Sequence, residues 1–317
     1  MSDYLDRRSR ARFDPVWEDR LLTAAVAEVK QGRLAAAVEL LTASNDPAQR
    51  TLRCSVLSDV LEPRLEELGT PEDPHVLLLV GAARVDRAWR FRGGSYARYT
   101  SGEQFRRFHA ELKNAAPLLQ RAAELLPDDP SPWSELQWHG IGSRLPRPEL
   151  DGIWHELRRR DPRSFNGTYG RVQAISEKWY GRPGESAAFA EELLNSAEPG
   201  HPVTAIAAAA HLEIAWRRLD DTEEPSSQVL REYFRAPSVN VLMREASDLW
   251  AQRSRPHPQD RKAHHLLGAV HYFGGDLERA RFHLSHAGDS LPKNLPWSVA
   301  STFPGRYYAK VQRELEL

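Results

Sequence analysis

The sequence predicts an all-α chain of helix hairpins stacked side by side as a solenoid. Three observations predict it. Apolar residues recur at three- and four-residue spacing through almost every segment, the period of one helix face. No stretch of useful length alternates apolar and polar residues as a strand does. A pattern of small residues, large aliphatics and a closing proline returns along the chain, most fully between His264 and Pro292.

That stretch, HHLLGAVHYFGGDLERARFHLSHAGDSLP, sets the register. It reads as two amphipathic helices joined by Gly274-Gly275, with Asp276 placed to cap the second by accepting its free N–H groups. Leu267, Gly268 and His271 share a face of the first helix. Ala280, Leu284 and Ala287 share one of the second, and Pro292 stops it. Small residues fall where two helices cross closely, and large ones fill the gap beside them. Leu-Gly, an alanine twelve residues after the glycine, and a large and a small residue before the proline resemble the tetratricopeptide repeat.

The remaining elements follow in order. Residues 1–13 read as a mobile arm, where Asp3, Asp6 and nearby Asp14 offset Arg7, Arg8, Arg10 and Arg12. A single repeat domain is expected over 14–304. It opens with a hairpin marked by Ala25, Gly32, Ala37 and Leu41, followed by a helix from Ala48 to about Leu68 with a kink at Pro63. Residues 74–92 form a long helix with Leu78, Ala82, Val85 and Trp89 on one face, ended by Gly93-Gly94. The next runs from Gly102 to Leu126, with Ser101 as its cap and Pro117 inside it; Ala115, Leu119, Ala122 and Pro127 keep the second-helix spacing. Trp133 and Leu136 open a further hairpin, closed by Leu150, Trp154, Leu157 and Pro162. A helix ending near Lys178, another over Glu185–Ser196 and an alanine-rich one reaching Leu219 come next. The acidic segment 220–227 reads as a loop, two helices at roughly 228–235 and 239–254 lead to the C-terminal pair, and a helix within 305–317 caps the stack.

Lined up, four pieces resemble an uncharacterised bacterial family of tetratricopeptide-like proteins. They are Ala88-Trp89 before Arg92-Gly93-Gly94; Phe105 to Pro127; Pro132-Trp133; and Lys178-Trp179-x-Gly181 followed by Phe189-Ala190. The resemblance covers roughly residues 74–300. It implies the fold and carries over no catalytic residues.

Composition narrows the function classes. Hydrophobic content of 41% and charged content of 27% are those of a globular protein. A net charge of −1 provides no global field toward nucleic acid or an anionic membrane. Six lysines among 43 basic residues leave 37 arginines, a bias that pervades the chain and lowers the weight of any one arginine cluster. Cys54 is the only cysteine, which excludes intrachain disulfides and points to a reducing, cytoplasmic setting. The start, MSDYLDRRSRARF, lacks the apolar core of a secretory signal, and the longest apolar runs, 76–83 and 205–210, are too short to span a bilayer.

Three constellations are candidates for function. The first is the segment 84–107: Arg84, Arg87, Arg90, Arg92, Arg98, Arg106 and Arg107 against only Asp86 and Glu103, interleaved with Trp89, Phe91, Tyr96 and Tyr99. Guanidinium forks beside aromatic faces suit a carboxylate, a phosphate or a stacked base. The bland alternative is a solvated helix face with an internal Asp86–Arg90 pair. The second is the concave groove that first helices of successive repeats line, where the register places Trp138, Lys262, His265, Ala269 and Tyr272. The third is histidine. His264 and His271 sit seven apart on one helix, His283 and His286 three apart on its partner, a spacing that could gather imidazoles for a metal. The register instead puts His264 and His271 where large aromatic residues pack, with His283 and His286 on either side of Leu284, so no metal ligands are assigned. Gly-x-Ser-x-Gly and HExxH are absent, and Cys54 in TLRCSVL reads as a buried thiol.

These readings favour a non-enzymatic, cytoplasmic helical-repeat scaffold that binds a protein or peptide in its groove, with no cofactor. The alternative is a regulator sensing a small anionic ligand or a peptide through the Arg/aromatic segment. A helical, metal-dependent enzyme is the third.

Overall fold

Aspartate and serine caps start four helices of the N-terminal half. Asp19 accepts a hydrogen bond from the Leu22 N–H at 3.0 Å and opens α1 (Arg20–Val29). It is followed by α2 (Ala35–Thr42). Asp46 and Asp73 cap α3 (Pro47–Leu61) and α4 (Pro74–Arg92), each with proline at the first helical position, where no N–H is needed. At Pro63 the chain tightens into a 3₁₀ run, Glu62–Glu67, in place of the expected kink. Ser101 and Gln104 form a reciprocal capping box at the head of α5 (Gly102–Leu125), which contains Pro117. The hairpin α6 (Ser131–Ser143) and α7 (Arg147–Arg160) and the helix α8 (Phe165–Ala174) complete this half.

The second half holds α9 (Glu185–Ser196), α10 (Ile206–Leu219), α11 (Ser226–Arg235) and α12 (Pro237–Ala251). The hairpin α13 (Asp260–Gly274) and α14 (Leu277–Ala287) turns at Gly275, whose φ of 84° is left-handed, and Asp276 caps α14 as the sequence predicts. The short α15 (Trp297–Ala300) and α16 (Pro304–Glu314) close the chain. This computed structural model describes residues 12–13, 16, 19–69, 71–93, 100–219, 221–252, 256–293 and 295–317. Among them the fold is all-helical apart from one two-residue parallel pair, Arg12–Phe13 with Ser290–Leu291. Of the arm expected over 1–13, only these two residues are described. No described helix is long and apolar enough to cross a membrane.

The sequence reading expects one domain over 14–304; the residues cluster into two compact units, Glu18–Arg171 and Met1–Trp17 with Val172–Leu317, the division falling inside α8. In the first unit α4 packs against α5 and α6, and α6 against α7. Its core contains the face predicted for α4, Leu78, Ala82 and Val85, with Ala115, Leu119, Leu136, Leu150 and Leu157. In the second unit α13 is the central helix. It contacts α10, α11, α12 and α14, and every residue from Ala263 to Phe273 is buried.

One device recurs at the crossings. A side chain at Gly268 would put its Cβ 2.4 Å from Leu284 Cδ2, and at Gly81 2.8 Å from Leu119 Cδ2. Gly140 receives Leu150 at 2.8 Å and Gly167 receives Leu157 at 2.4 Å in the same way. Backbones approach because the glycine has no Cβ, and a leucine from the neighbouring helix fills the space. Gly268→Val is therefore expected to destabilise the chain by about 2–3 kcal/mol in urea unfolding. In the double variant with Leu284→Ala the two losses should add to less than their sum, since both report one contact. Strict additivity would remove this crossing from the account.

Candidate functional site

The arginines of α4 are held by carboxylates of the first unit. Arg84 Nη1 donates to Glu111 Oε2 at 3.0 Å, and Arg87 Nη2 donates to the other oxygen of Glu111 at 2.7 Å. Arg87 Nη1 also donates to Glu66 at 2.7 Å, while Arg90 reaches Glu62 and Asp59. Asp86 accepts from Ser58 Oγ at 3.2 Å. The predicted stripe is thus a set of fasteners joining α4 to α3, to the 3₁₀ run and to α5. An incoming anion would have to displace Glu62, Glu66 and Glu111. Tyr96, Arg98 and Tyr99, the rest of the expected pocket, lie outside the described residues.

Arg92 is different. Its guanidinium lies 5.7 Å from the centre of the Trp89 ring, its Nη1 donates to the Gly93 carbonyl at 3.1 Å, and burial lowers its pKa. Trp89 in turn meets Trp138 edge to face, with centroids 6.0 Å apart at 82°. Trp138 continues to Tyr169 at 6.0 Å, and Phe108 of α5 backs Trp89 at 5.2 Å. Two residues assigned to separate sites by sequence, Trp89 from the arginine segment and Trp138 from the groove, therefore share one aromatic row. It runs across α4, α6 and α8, and both indoles are half-buried.

In the second unit the groove residues of α13 are covered. His265, Ala269 and Tyr272 are buried, because α15 and α16 return over the face that an open repeat would expose. Trp297 Nε1–H donates to His265 Nδ1 at 3.1 Å, so His265 must carry its proton on Nε2, which donates to the Ser290 carbonyl at 2.6 Å. Burial pushes the His265 pKa down to about 4. The Tyr272 hydroxyl donates to Glu314 of α16 at 2.5 Å. Lys262 is half-buried with its ammonium end desolvated, which lowers its pKa to about 8.

The histidines do converge, contrary to the reading that set them on either side of Leu284. His264 Nδ1 and His283 Nδ1 are 2.9 Å apart, and His283 Nε2 is 2.7 Å from Ser247 Oγ of α12. His271 stacks on His283 at 5.7 Å and 7°, and His286 on His264 at 5.0 Å and 23°. Trp250 of α12 packs 4.3 Å from His264. Among the described residues no three His, Cys, Asp or Glu side chains are set to hold a metal. Ser247, His283 and His264 have the spacing of a nucleophile, base and orienting group. Ser247 is buried in the middle of α12, however, where the neighbouring backbone N–H groups are committed to the helix and cannot stabilise an oxyanion.

No family model matches the chain, and a comparison with curated proteins likewise finds no match.

Because Arg87 is buried between two carboxylates, removing it leaves Glu111, only 13% exposed, with Arg84 as its remaining ion-pair partner on α4. Arg87→Ala is expected to cost about 2–4 kcal/mol in urea unfolding. Arg87→Lys should recover part of this, since one ammonium replaces a fork that spans Glu66 and Glu111. A loss below about 0.5 kcal/mol for the alanine variant would mean the pairs behave as surface salt bridges.

Proposed function

We propose that the chain is a non-enzymatic, tetratricopeptide-like scaffold of stacked helix hairpins that binds another protein or peptide across the first helices of its N-terminal unit. The aromatic row Trp89–Trp138–Tyr169 carries this reading. Half-buried indoles on the alternate helices α4 and α6 offer large, rigid contact area at small entropic cost, the property of binding anchors. The solenoid arrangement is supported by the glycine–leucine crossings at successive hairpins and by the packing of α4 on α6. A cytoplasmic setting is supported by the single buried thiol of Cys54. The anion-sensing alternative is weaker, since three of its arginines already have carboxylate partners.

A photo-crosslinking side chain at position 138, in the full chain in its native host, tests the proposal. The expected result is a discrete polypeptide adduct that disappears when Trp89→Ala is added. The control position is 155 on α7, where His155 has a 79% exposed side chain. The same adducts from 138 and 155, or none from 138, would overturn the reading.

A further inference from the structure

The histidine cluster of the second unit does not contribute to the aromatic row and has a chemistry of its own. Four imidazoles of α13 and α14 cluster beside α12, where His264 and His283 meet Trp250, and three of the four, His264, His271 and His283, are buried. Their protons are constrained. With both rings neutral, the 2.9 Å contact between His264 Nδ1 and His283 Nδ1 holds one proton, one nitrogen donating and the other accepting. Which ring donates fixes the direction of the Ser247–His283 hydrogen bond as well. One added proton leaves that contact intact, whereas a second sets two N–H groups head to head.

His271 is more restricted. It is 1% exposed, and neither ring nitrogen has a hydrogen-bond partner among the described residues. As an imidazolium it would bury two N–H groups and a charge with no acceptor. The surrounding charges offer little relief. Asp276 and Asp248, the nearest carboxylates, are already bound by Arg244 and Arg279: Arg244–Asp276 at 3.1 Å, Arg279–Asp276 at 3.1 Å and Arg279–Asp248 at 2.9 Å. From α11, Arg235 lies beside Gly275 at the end of α13 and adds positive charge. The rings also meet the uncharged Ser247, Trp250 and Phe282. Water reaches the rim, where Phe282 is 52% exposed and His286 is exposed. His286 donates through Nδ1 to the Phe282 carbonyl at 2.8 Å and stacks on His264, so protons have a short way in.

We propose that this cluster is an acid-responsive latch, which keeps the α13–α14 hairpin closed on α12 while its imidazoles are neutral and releases α14 when they take up protons. Burial pushes the His271 pKa down to about 4 and that of His283 well below its ordinary value, with the other imidazoles adding repulsion at His283. In the open state each returns to about 6.5. Since the closed state binds fewer protons, the latch is strongest above pH 6.5 and weakens as pH falls toward 4. Each such histidine shifts the equilibrium toward opening by about tenfold between pH 7.5 and 5.5.

Amide hydrogen exchange of the full chain, corrected for the intrinsic pH dependence of exchange, reads this directly. In the native chain the opening of α14 should rise at least tenfold from pH 7.5 to 5.5. His271→Phe keeps the stacked ring and loses the titration, so it should cut that rise by about tenfold. Equal pH dependence in both chains, or none in the native chain, would overturn the proposal. Ring resonances of the native protein need no variant. His271 and His283 still neutral at pH 5.5 while folded supports the latch, and titration of both near 6.5 refutes it.

Discussion

How closely two helices can approach decides this architecture. At four crossings a glycine on one helix receives a leucine from another: Gly81 with Leu119, Gly140 with Leu150, Gly167 with Leu157 and Gly268 with Leu284. Any Cβ there would lie inside the leucine, so each pair of backbones is held at a distance only glycine permits. The small residues around these points extend the same condition, Ala115 and Ala122 beside Leu119 and Ala280 beside Leu284, all fully buried. Four consecutive buried alanines in α10 serve the same end. Because an interior packed this tightly transmits volume changes, the order of the helices within each unit follows from where the leucines fit.

Close crossings exclude long charged side chains from the contact itself and place them at its border. In the first unit the border is built from arginine. Arg50 pairs with Asp129 at 2.6 Å, Arg53 with Asp19 at 2.8 Å and with Ser44, and Arg87 with Glu66 and Glu111. These pairs join elements distant in sequence, and their guanidinium forks bond two or three groups each. Burying such ions gains little over apolar packing, but breaking one leaves a stranded charge. Their effect is to penalise wrong pairings more than to stabilise the right one.

This division explains what was legible in the sequence. The starts of α5 and α14 were, because Ser101 and Asp276 act on N–H groups three residues away, whereas the Asp19 cap of α1 was not singled out. Gly268 was also legible as a crossing point, because its hairpin carries the fullest small-residue spacing, with Ala280 expected opposite it where the structure seats Leu284. Leu119 and Leu150 stood out as packing residues, but their glycines did not. Gly81 and Leu119 are separated by a long connection, and nothing local selects the pair. The arginines were read on a helical wheel, where Arg84, Arg87 and Arg90 form a stripe. Their carboxylates lie 21 to 31 positions away on other elements, so the wheel shows the charges without their partners. His265 and Tyr272 were read as facing a groove because a single repeat leaves that face open. The covering residues, Trp297, Tyr308 and Glu314, belong to later helices whose return no spacing rule fixes. The spacing of the four histidines within one hairpin raised their convergence, but their partners Ser247 and Trp250 come from α12 and were hidden for the same reason.

The two units therefore use helix faces of one general kind for different physical ends. In the first, aromatic rings on α4, α6 and α8 form a row whose contact is indifferent to pH, because indole and phenol rings keep their charge state across the ordinary range. In the second, imidazoles pack between helices and stack as aromatics do, His271 on His283 at 7° and Trp250 on His283 at 9°. An imidazole matches an aromatic ring in flatness but adds two nitrogens that must be partnered or kept neutral. Shape alone would be met by phenylalanine at His271, where no partner is supplied. What histidine adds at that site is a packing contact whose strength depends on proton activity. The separation is economical in sequence terms: the helical fold rests on glycine, leucine and arginine, while the proposed response to acidity rests on a few rings within one hairpin.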